Sequence, residues 1–319
     1  SHLGRPTEGV YEESLSLKPI CKYLSALLER DIKFFNSYRD NMNFEDYEIA
    51  MLENVRFNTG EKSSNSDLSK AYASLADYFV FDAFGVAHRK ESSTFGVSEY
   101  LKTYPGLNIS NEIHTINQLI HEDSRPMTII ISGAKVSTKL IVIQKLLAKC
   151  DFMILGGGIL NTFLKAKGYE IGNSLYEEDL VNEAKNILSS DFSSKIIFPI
   201  DLSCESESKP KNIDVSNISN NDIIFDVGEK SLEHIKSIIN KSAAIFWNGP
   251  LGYVEKEPFD RGTIELAKII AEHNCFSIIG GGDTLPIIEN LNLQSQFSCL
   301  STGGGSLLTY LEGGDLPIL

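Results

Sequence analysis

The sequence FSIIGGGDTLPIIENL, residues 276–291, combines a short apolar run, three glycines, an aspartate and an amphipathic segment. This pattern predicts a strand, a tight turn and a helix. Glycine has no Cβ, so the backbone N–H groups of Gly281 and Gly282 can close on a phosphate group, and the following helix directs its positive end to the same place. Asp283 suits a divalent cation that accompanies a polyphosphate, although it could instead cap the helix over residues 285–291.

The same pattern occurs at two other places in the chain. Gly156, Gly157 and Gly158 follow the apolar residues 152–155, and Gly303, Gly304 and Gly305 follow a run that ends at Leu300. A single glycine triplet is often only a tight connection between a strand and a helix. Three such turns in one region favour a binding site for a phosphorylated ligand such as a nucleotide.

Length and composition limit the class of protein. The chain has 319 residues, enough for two domains, and 42% of them are hydrophobic, as is usual for a globular protein. A formal net charge of −14 argues against general binding to nucleic acid or to anionic membranes. No apolar run approaches the roughly twenty residues of a membrane span, and residues 1–9 do not resemble a signal peptide. A cytoplasmic protein is expected.

The five cysteines, Cys21, Cys150, Cys204, Cys275 and Cys299, are widely spaced and never form a CxxC motif. This spacing indicates neither a disulfide framework nor a zinc site. We expect reduced thiols.

The order of elements predicts an α/β protein with two lobes, each built on a mainly parallel, doubly wound sheet with helices on both faces. We expect an N-terminal lobe over residues 1–108, a connector helix over 109–122, a C-terminal lobe over 123–312 and a tail over 313–319. In the first lobe a helix is predicted at 16–30 and strands at 32–35 and 50–57. Residues 203–221 are predicted to form a polar surface excursion. Ligands are expected at the carboxyl ends of the strands.

Taken in order, eight motifs resemble those of the phosphoglycerate kinase family: SHLGRP, ENVRF, DAFGVAHR, GAKVSTK, GGGILNTFL, FWNGPLGYVE, GGGDT and STGGGSLLTYLEG. The resemblance covers essentially the whole chain. It implies a hinge-closing kinase that transfers a phosphoryl group between 1,3-bisphosphoglycerate and ADP, giving 3-phosphoglycerate and ATP. A monomer without nucleic-acid or membrane partners is expected.

By motif match, the resemblance implies that four residues of the first lobe bind phosphoglycerate: His2, Arg5, Arg56 and Arg89. The chemistry agrees, because guanidinium groups bind phosphate and carboxylate through paired hydrogen bonds. Taken alone, each arginine would be more typical of a surface ion pair, but the position of these arginines after predicted strands, in a chain with few arginines, favours binding. His88 is assigned a structural role beside Arg89.

The second lobe resembles the nucleotide-binding lobe of the family. Lys135 matches the catalytic lysine that follows the transferring phosphoryl group, and Lys139 matches a lysine that holds the nucleotide phosphates. Their separation by four residues at the start of a helix would direct both to one site, although either could be a solvated lysine. The other nucleotide contacts implied are Gly133, Ala134, Gly157, Gly158, Asn248, Pro250, Glu255, Gly281, Gly282, Asp283, Thr284, Gly303 and Gly304.

Asp283 resembles the aspartate that the family links to Mg²⁺, which would bind together with ATP or ADP. Phosphoryl transfer needs in-line placement, exclusion of water and positive charge over the equatorial oxygens. Lys135, Lys139, Mg²⁺ and the glycine-turn amides would supply that charge. The arginines would hold the phosphoglycerate, so the lobes would have to close for the reaction.

The chain departs from the family at several positions. Upstream of SHLGRP the family has a strand and loop that complete the substrate site, and we expect the sequence to be a fragment of a longer chain, with part of its N-terminal lobe absent. Smaller departures are Ser132 where the family usually has glycine, Phe81 where asparagine is common, and Glu229 in place of proline.

Two other functions are considered. A nicotinamide-dependent dehydrogenase would share the doubly wound sheet, but it would need a GxGxxG motif after a first strand, and the sequence contains neither this motif nor GxxxxGK[ST]. A non-catalytic two-lobed binding protein would bind the ligands without turnover.

Overall fold

The computed structural model describes residues 1–40, 48–120 and 124–319. The chain divides into two compact units. Unit 1 comprises Ser1–Ile109 and Leu316–Leu319, and unit 2 comprises Ser110–Asp315.

Unit 1 contains two small parallel sheets. Strand β1 (Ile32–Phe35) pairs with β2 (Ile49–Leu52), and β3 (Phe79–Phe81) pairs with β4 (Thr103–Pro105). Helix α1 (Lys18–Leu28) precedes β1, and helix α2 (Ser66–Ala73) precedes β3. An apolar cluster holds α2 to the segments around it and contains Val55, Leu68, Tyr72, Ala73 and Val97.

The predicted strand over residues 50–57 was too long. Strand β2 ends at Leu52, and Val55–Phe57 forms a short 3-10 turn. The side chain of Asn54 accepts a hydrogen bond from the backbone N–H of Arg56, which favours a turn over an extended backbone. Asn65 caps α2, since its side chain accepts from two backbone N–H groups of the first turn.

Helix α3 (Leu107–Leu119) begins earlier than the sequence predicted. The carboxylate of Asp82 accepts from the backbone N–H of Ile109 at 2.9 Å and from the side chain of Asn108 at 2.8 Å, and it thereby holds the first turn. The connector helix had been predicted over residues 109–122, and residues 121 and 122 lie outside the described residues.

Unit 2 is built on a six-stranded parallel sheet with the order β13-β12-β11-β5-β6-β7. The strands and helices are β5 (Met127–Ser132), α4 (Leu140–Lys149), β6 (Phe152–Gly156), α5 (Gly157–Lys167), α6 (Val181–Leu188), β7 (Ile196–Ile197), β8 (Asp201–Ser206), β9 (Lys209–Asp214), β10 (Ile223–Val227), α7 (Glu229–Ile239), β11 (Ala244–Asn248), α8 (Arg261–His273), β12 (Phe276–Gly280), α9 (Leu285–Asn290), β13 (Cys299–Ser301) and α10 (Gly304–Leu311).

The two central strands are buried along their whole length, as is typical of a parallel sheet with both faces covered. Trp247 and Ile245 of β11 belong to a large apolar cluster that also contains Leu266 of α8 and Ile235 of α7. The predicted fold class is therefore confirmed: unit 2 is an α/β structure with a mainly parallel sheet.

The predicted surface excursion at residues 203–221 was wrong for most of its length. Strands β8 and β9 form an antiparallel hairpin, and β10 pairs with the other edge of β8. Burial of Leu202, Cys204 and Ile213 stabilises this sheet, although its outer strand is largely exposed and polar. The polar composition therefore reflected the solvent face of a sheet.

The state of the cysteines agrees with the sequence prediction. All five are free thiols, and three of them are buried.

Within residues 1–40, 48–120 and 124–319, no helix combines the length and the apolar character that crossing a membrane requires.

Candidate functional site

The carboxyl ends of the parallel strands bring distant motifs of unit 2 together. Strand β11 pairs with β5 on one side and with β12 on the other, with Asn248 opposite Ile131 and Gly280. The turns that begin at Gly133, Gly249 and Gly281 therefore lie along one edge of the sheet. Three of the predicted motifs, GAKVSTK, WNGP and GGGDT, meet at this edge.

Close backbone approach explains why glycine occupies two of these turns. Gly249 has φ +94°, and a Cβ there would lie 2.3 Å from the carbonyl oxygen of Ser132. Gly281 has φ +113°, and a Cβ there would lie 3.2 Å from the backbone nitrogen of Gly249. A larger residue would force the turns apart, so the glycines maintain their spacing.

Lys139 lies at the junction of these turns. Its Nζ donates to the carbonyl oxygen of Ser132 at 2.6 Å and to Oδ1 of Asn248 at 2.7 Å. Burial lowers the pKa of Lys139 to about 8, and the carboxylate of Asp283 opposes this shift. The lysine thus provides a positive charge, held by two neutral oxygens, at the centre of the glycine-lined edge.

Lys135 and Lys139 do not share a helical face. Helix α4 begins at Leu140 with Lys139 as its N-cap, so both lysines precede the helix and the spacing of four residues does not set their directions. Lys139 points inward, whereas Lys135 is exposed. The prediction that helical spacing aligns them was therefore wrong.

The turn after β12 presents an acidic and a hydroxyl side chain. Asp283 is exposed, and Thr284 is fully buried with its Oγ1 lacking a partner among the described residues. Thr284, rather than Asp283, is the N-cap of α9. Within the described residues no group of three His, Cys, Asp or Glu side chains could hold a metal ion alone. One carboxylate does fit Mg²⁺ that is bound mainly by phosphate oxygens.

Gly157 and Gly158 pack tightly against the Gly133 turn. The N–H of Gly157 donates to the carbonyl of Leu251 at 3.1 Å, and a Cβ at Gly158 would lie 2.2 Å from the carbonyl oxygen of Ala134. Gly158 therefore supports the shape of the turn before Lys135.

The last glycine turn lies farther from Lys139. It follows the edge strand β13. This strand lies two positions from β11 in the sheet, so the two strands are roughly 10 Å apart. The N–H of Gly303 donates to Oγ of Ser301 at 3.0 Å, and that hydroxyl donates to Glu112 of α3. Gly304 has φ +44° and begins α10.

Glu255, another residue predicted to contact the nucleotide, is exposed.

Ser132, which departs from the family pattern, has a clear structural role. Its side chain is fully buried, and its Oγ donates to the carbonyl oxygen of Pro250. The hydroxyl therefore ties the end of β5 to the turn after β11. This contact is long-range in sequence, so the motif alone did not indicate it.

In unit 1, three of the predicted substrate-binding residues surround one acidic side chain. Glu91 Oε1 lies 3.4 Å from Nη2 of Arg56 and 3.7 Å from Nη1 of Arg89. Burial lowers the pKa of His2, and the positive charges of Arg56 and Arg89 lower it further, while Glu91 opposes them. Both arginines and His2 are thus close together.

Arg56 is held firmly, whereas Arg5 is exposed. Arg56 is only 5% exposed and donates from Nη1 to the carbonyl of Gly4 at 2.9 Å. Arg89 donates from Nε to His88 at 3.3 Å, and burial is the main reason why the pKa of His88 is lowered. This contact agrees with a structural role for His88.

Sequence reasoning missed three acidic residues that hold other residues of the two sites. Glu91 lies only two residues after Arg89, and an acidic residue so close to a proposed phosphate-binding arginine was an available signal. Glu177 and Glu112 are distant in sequence from the groups they bind. No local pattern could have revealed those two contacts.

Comparison with known proteins agrees with this geometry. The family model described as phosphoglycerate kinase matches residues 1–314. The chain belongs to the phosphoglycerate kinase family. Members of this family catalyse a step of glycolysis in which a phosphoryl group passes between 1,3-bisphosphoglycerate and ADP, and the chain is a phosphotransferase of this type. The predicted family and reaction are confirmed, and the dehydrogenase alternative is set aside.

Individual relatives show the extent of the similarity. The chain is 43% identical to the phosphoglycerate kinase of Francisella philomiragia, over 99% of this chain and 83% of that protein. It is 42% identical to that of Baumannia cicadellinicola, over 99% of this chain and 82% of the relative.

Solved structures are also similar. Phosphoglycerate kinase from Coxiella burnetii has a TM-score of 0.86 and 38% identity, and the match covers 100% of this chain and 83% of that one. The enzyme from Pyrococcus horikoshii has a TM-score of 0.85 and 27% identity, with 99% and 84% covered.

Proposed function

We propose that the glycine-lined edge of unit 2 binds the nucleotide and that the basic cluster of unit 1 binds phosphoglycerate. In this assignment residues 123–312 form the nucleotide lobe, residues 1–108 the phosphoglycerate lobe, residues 109–122 the connector and residues 313–319 a tail. The observation that carries the proposal is the position of Lys139, whose Nζ lies between Ser132 and Asn248 where three motif-bearing turns meet.

The nucleotide phosphates would replace neutral partners of Lys139. An ammonium group that now contacts a carbonyl and an amide oxygen gains a stronger, charge-assisted hydrogen bond when it contacts phosphate. The buried hydroxyl of Thr284 lacks a partner among the described residues and supplies a further donor. Backbone N–H groups around Gly281 and Gly282 complete the phosphate-binding groups, and Gly133 and Ala134 lie beside them. The residues assigned to the rest of the nucleotide are Gly157, Gly158, Pro250 and Glu255.

Asp283 would hold Mg²⁺ together with the phosphate oxygens of ATP or ADP. Its exposure and its position beside Lys139 suit a cation that arrives with the nucleotide. When bound, Mg²⁺ neutralises negative charge on the transferring phosphate. The turn at Gly303 and Gly304 would contribute from the edge of the sheet.

His2, Arg5, Arg56 and Arg89 would bind the phosphate and carboxylate of phosphoglycerate. Arg56 and Arg89 are already positioned by Glu91, so little side-chain freedom remains to be lost on binding. Exposed Arg5 would close on the ligand after it binds.

Lys135 would follow the phosphoryl group during transfer. It is exposed and lies in the turn before Lys139, so its ammonium can reach a ligand at the same edge. Transfer is in line and requires that the two ligands meet, and the proposal therefore includes the hinge closure that the family resemblance implies. The net charge of −14 supports a monomer without nucleic-acid or anionic-membrane partners, and the proposal places it in the cytoplasm.

A coupled assay tests the proposed catalytic role. We expect Lys135→Ala to lower kcat for ATP formation by at least about a hundred-fold, since it removes positive charge that acts in the transition state. The KM for ADP should change little. Lys145→Ala, which removes an exposed lysine of α4, is the control. An unchanged kcat in Lys135→Ala would remove this residue from the mechanism.

Calorimetry tests the substrate site. Arg89→Ala is expected to weaken 3-phosphoglycerate binding by about 1 to 3 kcal/mol, the range for losing a partner of a charged group. Arg39→Ala, at an exposed position beside Tyr38, should bind normally. Equal affinity of the Arg89 variant and the unaltered protein would contradict the assignment.

A further inference from the structure

Glu177 makes two hydrogen bonds to the turn that carries Lys135. Its Oε2 accepts from the backbone N–H of Ser137 at 2.8 Å, and its Oε1 accepts from Oγ of the same serine at 2.7 Å. The two residues are 40 positions apart in the sequence. Because one carboxylate engages two donors of one residue, the contact fixes both the position and the orientation of Ser137.

The surroundings of Glu177 favour its ionised form. Burial opposes ionisation, but the hydrogen bonds from Ser137, a further one from the N–H of Val136 and the positive charge of Lys135 together lower the pKa of Glu177. The carboxylate is therefore negative at neutral pH. It acts on the turn through hydrogen bonds and also through charge.

Glu177 is itself anchored to the helix that follows β6. Its backbone N–H donates to Oγ1 of Thr162 at 3.1 Å, and that hydroxyl donates to the carbonyl of Gly158 at 2.9 Å. Thr162 is fully buried. Nδ2 of Asn161, also on α5, holds the carbonyl of Leu175 at 2.9 Å. The segment that carries Glu177 is thus attached to a rigid element.

Among residues 1–40, 48–120 and 124–319, no comparable contact supports the other exposed positions of the turn. Val136 is fully buried, and its carbonyl accepts from the N–H of Lys139 at 2.8 Å. Lys135, Ser137 and Thr138 are exposed, and the hydroxyl of Thr138 donates to the local carbonyl of Lys135 at 3.0 Å. Within the part of the chain that the structure describes, Glu177 is therefore the long-range contact that secures the exposed part of this turn.

We propose that Glu177 is a positioning residue for phosphoryl transfer, because its carboxylate clamps Ser137 and thereby holds the backbone from which Lys135 reaches the transferring phosphoryl group. The inference rests on the proposed catalytic role of Lys135. It adds a residue from the segment between α5 and α6, outside all of the motifs that define the candidate site.

The first experiment separates positioning from nucleotide binding. We expect Glu177→Ala to lower kcat by about ten-fold or more, since a small displacement of a reacting group has a large effect on rate. The KM for ADP and the Tm should stay close to those of the unaltered protein. The kcat of Glu177→Gln should lie between those of Glu177→Ala and the unaltered protein, because an amide keeps a hydrogen-bond acceptor but loses the charge. Glu178→Ala, at the exposed neighbouring acid, is the control.

A double-mutant cycle tests whether Glu177 acts through Lys135. In a Lys135→Ala background, Glu177→Ala should change the residual kcat by less than about two-fold, since the group that it positions is absent. Ser137→Ala should lower kcat in the same direction as Glu177→Ala. Independent, additive losses would assign Glu177 a merely structural role and overturn the inference.

The outcomes distinguish this inference from the proposed function. If Lys135→Ala loses activity while Glu177→Ala and Ser137→Ala keep full kcat, the inference is wrong and the function stands. If Lys135→Ala keeps full kcat, the proposed catalytic role of Lys135 and the inference that rests on it are both wrong, whereas the assignment of the two binding sites is unaffected. Should Glu177→Ala fail to fold, Glu177→Gln and Ser137→Ala decide, and full kcat in both would overturn the inference.

Discussion

The glycine-lined edge of unit 2 and the arginine cluster of unit 1 offer positive charge by different physical means. In unit 2 a single buried lysine, Lys139, rests between neutral oxygens, and glycine turns allow backbone groups to approach. In unit 1 two guanidinium groups surround the buried carboxylate of Glu91. The first arrangement depends on steric constraints along the backbone, and the second depends on balanced charge.

This difference sets which substitutions should be harmful. Where the backbone forms the site, adding an atom is the damaging change. Where buried charges form the site, removing a partner is the damaging change, because the remaining charge is left without compensation. Four predictions test this comparison, beginning with the largest expected effect.

Glu91→Ala should lower the free energy of unfolding by about 3 kcal/mol, since Arg56 would be left as a buried charge without its carboxylate partner. Urea unfolding measures the effect, and Glu99→Ala, at an exposed position in the same segment, is the control. Added 3-phosphoglycerate should restore part of the stability, because its anionic groups can replace the carboxylate. A loss no greater than that of the control would contradict the charge-balance description.

Gly249→Ala should lower the free energy of unfolding by about 2 to 4 kcal/mol, through left-handed backbone strain and collision with Ser132. The matched control is Gly282→Ala, because a Cβ at Gly282 would meet no atom within 4 Å. Thermal unfolding should separate the two variants. Equal behaviour would show that close backbone approach does not define this edge.

Asp226 provides a pH test within unit 2. Burial raises its pKa from 3.8 to about 7, assisted by Asp260 and opposed by Arg261 and by hydrogen bonds from the N–H groups of Gly262 and Val227. Between pH 4 and 7 the native state keeps a proton that the unfolded state has lost, so stability falls as the pH rises.

We expect ionisation of Asp226 to lower the free energy of unfolding by about 1 kcal/mol per pH unit between pH 5 and 7. Asp226→Asn should remove this part of the slope and leave the part that comes from Glu61, whose pKa burial also raises to about 7. Asp191→Asn, at an exposed acid, should keep the full slope. Urea midpoints measured across the range give the slope. The same slope in all three proteins would exclude Asp226 as its source.

The smallest effect is expected at an exposed ion pair. Glu229, which replaces the proline usual in the family, contacts Arg261 at 2.7 Å, but both side chains are about three-fifths exposed. Glu229→Gln should change the free energy of unfolding by less than about 1 kcal/mol, as for most surface ion pairs. A loss as large as that of Glu91→Ala would mean that burial does not govern these contacts.

Much of the fold and part of the candidate site were predictable from local patterns. The apolar run 152–155 before a glycine triplet predicted strand β6, and strand β1 was predicted at its observed bounds. The motifs predicted the family, which the comparisons confirmed. The errors fall where side chains compete with the backbone, as at Asn54, or where a sheet has a polar face, as in β8 and β9.

The order of strands and helices, the glycine turns and the family can be read from local patterns, because each depends on residues that are close together in the chain. Which partner each charged group meets depends on the folded chain. Glu91 with Arg56, Glu177 with Ser137 and Lys139 with Asn248 are 35, 40 and 109 positions apart. Such pairs leave no local pattern, since their energies depend on distance and burial that folding alone creates.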